Sequence, residues 1–179
     1  MIRQKKKEDK NIVELLPIER YDHELDCFVY NDGSLMNLYQ INSKDLVSSN
    51  VDDIEMDCFK WAKFHKTYGM DIQILTMKYP CNTQKQQEFW QKKMETNRNP
   101  VFVPMLKNSL NELVFREKNT TSREFYLQVF FSKPEERKEG IDALQSTLEI
   151  GRYGLIRELT KEKKLQVLFK LNNKNSLIF

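Results

Sequence analysis

The stretch REFYLQVFFSKPEERKEGIDALQSTLEI, residues 123–150, changes period in its middle, and that change constrains the fold more than any other feature of the chain. Before Ser132, the residues Phe125, Leu127, Val129 and Phe131 alternate with Glu124, Tyr126, Gln128 and Phe130, which predicts a strand with one clearly apolar face. After it, Ile141, Leu144 and Leu148 recur at helical spacing. Ser132 can cap this helix, Pro134 suits its first turn, Glu135 can bond back to the cap, and Gly151 ends it. A strand that turns directly into an amphipathic helix buries its stripe by laying the helix on a sheet, so a helix layer over a sheet is expected.

The rest of the chain supplies matching parts. Asp26–Tyr30 and Leu35–Ile41 form a hairpin around Asn31-Asp32-Gly33-Ser34, where Asp-Gly tolerates positive φ. Residues 51–67 put Val51, Ile54, Cys58, Trp61, Ala62 and His65 at helical spacing, with acidic residues early and lysines late, as the helix dipole favours. Asn50 can cap that helix and Gly69 can end it in the left-handed conformation. Met70–Tyr79 reads as a central strand closed by Pro80. Thr83 and Gln86 form a capping box for a helix with Phe89, Trp90 and Met94; Pro100 separates it from a second helix with Phe102, Leu106, Leu110 and Leu113. Leu155–Leu159 is a short strand, and Thr160 opens a last helix with Leu165, Leu168 and Phe169 on one side. The order predicts an α+β fold of ferredoxin-like layers, a mostly antiparallel sheet with helices packed on one face. Residues 1–19 read as a charged tail or edge segment and 20–179 as a single α+β domain.

Chemistry is sparse. A phosphate-binding loop needs a glycine followed by Lys-Ser or Lys-Thr, and none of the five glycines is followed that way. The acidic residues Asp52, Asp53, Glu55 and Asp57 point around a helix axis, which fits a helix N-terminus better than a cation site. His23 and His65 have no evident base or metal partner in sequence. Cys58 and Cys81 lack a zinc spacing and read as small apolar core residues; three separated cysteines fit a reducing compartment. Trp61, Phe89, Trp90 and Phe125 could stack on bases, but at helical or strand spacing they read as core. We therefore expect no enzyme and no cofactor or metal in this chain.

The order of elements, with DGSLMNLYQI, MDIQILTMKYP, REFYLQVFF, LEIGRYGLIREL and KEKKLQVLFKL, resembles the N-terminal domain of the conjugative type IV secretion (conjugal transfer) ATPases of Gram-positive mobile elements over residues 20–179. The resemblance implies a cytoplasmic component at the inner face of the membrane that docks a motor to a channel during DNA transfer. The full family pattern includes Walker motifs, which this sequence lacks, so nothing catalytic carries over.

Expected partners are protein subunits of a membrane channel complex or the ATPase motor domain, with self-association as a further option. The alternative is a small nucleic-acid-binding accessory protein of a mobile element. A net charge of +3 gives it only weak support. The apolar end, Leu177, Ile178 and Phe179, is expected to be a partner surface, and leads us to expect a cut chain continuing into a motor. Arg3, Lys5, Lys6 and Lys7 are the expected contacts for an anionic partner such as lipid or nucleic acid. The sequence holds no apolar run of about 18 residues that would span a bilayer.

Overall fold

A computed structural model describes residues 17–173. The elements are β1 (Ile18–Asp22), β2 (Cys27–Tyr30), β3 (Leu35–Ile41), α1 (Val51–Thr67), β4 (Ile72–Pro80), α2 (Gln84–Thr96), a 3-10 turn (Pro100–Phe102), α3 (Val103–Asn119), β5 (Thr121–Phe131), α4 (Pro134–Leu148), β6 (Ile156–Glu158) and α5 (Lys161–Asn172). The expected surfaces Arg3, Lys5, Lys6, Lys7 and Leu177, Ile178, Phe179 lie outside the described residues.

The strands form one six-stranded sheet ordered β1-β2-β3-β5-β4, with β6 also on β3. β5 runs antiparallel along all of β3, from Leu35↔Phe131 to Ile41↔Phe125. β2 and β6 therefore share the other edge of β3, β2 at Leu35 and Met36 and β6 at Tyr39–Ile41. The sequence β3-α1-β4 followed by β5-α4-β6, in spatial order β4-β5-β3-β6, is the split βαβ arrangement of ferredoxin-like folds. The fold is α+β, as the period change at Ser132 predicts. β1 and β2 are an added hairpin, and α2 with α3 is an insertion between β4 and β5.

The described residues fall into two compact units, 17–75 with 125–164 and 76–124 with 165–173. In the first, Phe64 of α1 and Leu144 and Leu148 of α4 pack on Leu35, Tyr39, Leu127, Val129 and Phe131. Each such leucine contributes about 2 kcal/mol by leaving water. The strand predicted to have one apolar face is buried on both, since Tyr126 and Gln128 are as enclosed as Leu127 and Val129.

The ends of α1 fall where predicted, with Asn50 accepting from the Asp52 N–H at 3.4 Å. Its stripe is rotated from the expected one: Phe64 is fully buried, while Cys58, Ala62 and His65 are exposed. Cys81 is half-buried, so neither Cys58 nor Cys81 is a core residue; that role belongs to Cys27. Gly69 has no positive φ, and the helix closes with the Tyr68 N–H on the Phe64 carbonyl at 2.8 Å. β4 ends the strand order and is an edge strand rather than a central one. In α4 the N-cap is Lys133, and the Ser132 N–H is taken by Glu136 at 3.0 Å, not by Glu135. The helix is closed by Glu149, at φ 58°, two residues before the Gly151 expected to end it.

In the second unit α2 and α3 form a hairpin whose base is tied by the Cys81 N–H on the Thr120 carbonyl at 3.2 Å. Thr83 precedes α2 as predicted, but its hydroxyl leaves the capping role and donates to the Leu113 carbonyl on α3 at 3.1 Å. Gln87 donates to Thr83 Oγ1 at 2.8 Å and to Glu117. The part of α5 in this unit buries Val167 and Leu168, whereas Leu165 and Phe169 are exposed.

Candidate interaction surfaces

The densest polar cluster of the first unit surrounds the β1–β2 turn. Asp22 Oδ1 accepts from the Glu24 and Leu25 N–H groups at 2.9 and 3.0 Å, which shapes the turn, and Asp26 leaves it at φ 49°. Lys164, 1% exposed, donates to the Asp26 carbonyl at 2.6 Å and pairs with its carboxylate at 2.8 Å. The Tyr21 hydroxyl donates to the other carboxylate oxygen, and Arg137 donates to the Leu25 carbonyl at 2.6 Å. His23 lies 3.2 Å from the Lys161 amine. Apart from the Arg137 Nε, which is buried without a partner among the described residues, these polar groups bind the turn, so the cluster is a clamp holding the turn to α4 and to the start of α5. Among the described residues no three His, Cys, Asp or Glu side chains converge on a metal position.

Burial, more than any neighbouring charge, pushes the hydroxyls of Tyr21, Tyr39 and Tyr68 up, Tyr39 to about 12 and the other two well above the usual tyrosine range. A folded value above the unfolded one adds stability that is present below about pH 10 and lost as pH rises past it. The denaturant midpoint should therefore hold from pH 7 to 9 and fall steeply above about pH 10, with Tyr68→Phe less sensitive than the native chain. Native-state phenolate absorbance appearing wholly near the free tyrosine value would refute this.

A second feature of the first unit is the loop between α4 and β6. The Leu155 N–H bonds to the Leu148 carbonyl and the Gly151 N–H to the Ile156 carbonyl, both at 2.8 Å. From the end of β3, Asn42 Nδ2 donates to the Gly151 carbonyl at 3.1 Å and to the Gly154 carbonyl at 2.8 Å. Lys60 of α1 pairs with Glu149 at 2.7 Å. This tied backbone presents Tyr153, 88% exposed, with the Arg152 guanidinium 5.8 Å from its ring. Beside it lies an open groove of about 580 Å³ between Ile141, Asp142 and Gln145 of α4 and Arg157 and Glu158 of β6, with Ile150 in its wall. Tyrosine and arginine held on a rigid loop are the side chains that carry most binding energy in protein interfaces, and prior ordering removes part of the association cost. Sequence reasoning saw only a helix end in GRYG; an aromatic and an arginine between two glycines was the signal available.

None of the four aromatic residues read as core is fully buried. Trp61 stacks on His65 in α1, Phe125 is half-buried in β5, and Phe89 and Trp90 meet edge-on in α2 beneath the Lys93 amine. Phe89 is exposed, and the others are half-buried. Of the acidic residues on α1, Asp57 binds Lys44 at 2.5 Å, and Asp52 and Asp53 lie in the first turn.

Residues 19–164 match the model of the archaeal TraC-like domain family. The chain is also 22% identical, over 96% of its own length and 82% of the relative's, to the uncharacterised protein pXO2-10 of Bacillus anthracis. No solved structure matches it significantly.

Proposed function

Because the chain belongs to the archaeal TraC-like domain family, we propose that it serves conjugative DNA transfer as a non-catalytic docking and assembly component. In this reading the tied loop 149–155 offers Tyr153 and Arg152 to a protein subunit of the membrane channel complex. The exposure of Tyr153 on a backbone fixed by Asn42 carries the docking role, because the ring stands in solvent beside the Arg152 guanidinium while the chain under it is tied. The family match, which includes the loop, supports the transfer setting.

The test places a photo-crosslinking amino acid at position 153 in donor cells and measures transfer frequency for Arg152→Glu combined with Tyr153→Ala. The expected result is a crosslink to a channel subunit and at least a tenfold fall in transfer, with protein level and melting temperature unchanged. Normal transfer by the double variant would remove the loop from the mechanism. Normal transfer after deletion of the gene would remove the conjugative reading itself.

A further inference from the structure

The connection between α2 and α3 holds four exposed apolar side chains within five residues, beside two prolines. Val101, Phe102, Val103 and Met105 are 77%, 50%, 40% and 56% exposed, in the run Pro100-Val101-Phe102-Val103-Pro104-Met105. Successive helical residues turn by about 100°, so these four side chains point around the tip instead of forming one stripe. A folded protein partner covers one face of such a tip. A medium that is apolar on all sides covers the whole of it.

The backbone of the tip is prepared for such a medium. Pro100 and Pro104 have no N–H. The Asn99 N–H bonds to Asn97 Oδ1 at 3.1 Å and the Val101 N–H to Asn99 Oδ1 at 3.0 Å. The Phe102 N–H bonds to the Asn99 carbonyl at 3.2 Å, and the Val103 N–H to the Pro100 carbonyl. From Asn99 to Pro104 every backbone donor is absent or satisfied inside the tip, which removes the donors' share of the cost of entering hydrocarbon.

Charge then selects the surface. Lys92, Lys93, Arg98 and Lys107 flank the tip, all exposed, with Glu95 as the single acidic residue between Lys92 and Lys107. Lys107 stands about 6 Å along α3 from Val103 by the helical rise, so it can stay among headgroups when the tip enters the roughly 5–10 Å that interfacial apolar faces reach into the headgroup and acyl boundary. No helix among the described residues is long and apolar enough to cross a bilayer.

We propose that the α2–α3 tip is a shallow membrane anchor, with Val101, Phe102, Val103 and Met105 entering the outer hydrocarbon of an anionic bilayer and the four basic side chains lying in its headgroups. The anchor does not depend on loop 149–155 or on the transfer reading. The test is flotation of the full chain with vesicles of phosphatidylcholine alone and of phosphatidylcholine with phosphatidylglycerol. The native chain should bind the anionic vesicles. Val101→Asp with Phe102→Asp should weaken that binding at least tenfold, and Arg98→Glu with Lys107→Glu should weaken it and reduce its salt sensitivity, both with unchanged melting temperature. Absence of binding by the native chain, or binding unchanged in the Asp variant, would overturn the anchor. Concentration-dependent self-association lost in the Asp variant, without vesicle binding, would overturn it too and give the tip to a second copy of the chain.

Discussion

Gly154→Ala should destabilise the protein by about 4 kcal/mol, at the upper end of what single substitutions do, and lower its melting temperature by about 8–16 °C for a chain of this size. A Cβ at position 154 would stand 1.5 Å from the Glu149 carbonyl oxygen and 2.5 Å from its carbonyl carbon. The obstacle is backbone, so no rotamer relieves it, and loop 149–155 has to open. Opening it pulls the Gly154 and Gly151 carbonyls from Asn42 and the Leu155 N–H from the Leu148 carbonyl. Asn42→Ala loses only its two side-chain bonds and should cost about 1–2 kcal/mol. Chemical denaturation of both variants separates steric closure from hydrogen bonding. A Gly154→Ala chain within about 1 kcal/mol of the native one would mean that the loop relaxes freely, and that Tyr153 is not held in place for a partner.

The same loop shows where the sequence could be read and where it could not. Local signals placed α1 at 51–67, because Asn50, the early aspartates and the late lysines all act within one turn of their helix end. Asp32-Gly33 marked the hairpin for a similar local reason: Gly33 has φ 84° and Asp32 Oδ1 binds the Ser34 N–H at 2.9 Å. β1 escaped notice because IERYD has no alternation, and its strand is drawn out by pairing with Phe28–Tyr30. The helix opened by Thr160 was placed correctly but turned wrongly. Leu165, Leu168 and Phe169 read as one side, but of these only Leu168 is buried, and the buried face is Lys164, Val167 and Leu168. The acceptors for that lysine lie on the β1–β2 turn, and no window of local sequence shows them. The apolar tip was legible in principle, since Val101, Phe102 and Val103 in succession cannot all lie on one stripe; reading Pro100 only as a helix breaker concealed it.

Lys164→Ala should cost about 3 kcal/mol, through the void left by a buried four-carbon stem and the loss of the donor to the Asp26 carbonyl. Lys164→Met keeps most of the stem volume and removes the charge, so it should cost about half as much. The Asp26 carboxylate is half exposed, and water replaces much of what the ammonium gave it. pH then distinguishes the ion pair from packing. Burial pulls the Asp26 carboxyl upward, but the bonds from Lys164 and Tyr21 outweigh it and leave the group below its ordinary value. A folded value below the unfolded one gives stability that is present above about pH 4 and lost as pH falls through the folded value. The stability gap between the native chain and Lys164→Met should therefore be constant from pH 7 to 5 and narrow below about pH 4, whereas the gap between Lys164→Met and Lys164→Ala, which is packing, should not change. A native-to-Met gap that stays flat down to pH 2 would show that the ammonium is bound to the carbonyl alone. The β1–β2 turn would then be held by a hydrogen bond and a buried stem, with no contribution from the Asp26 charge.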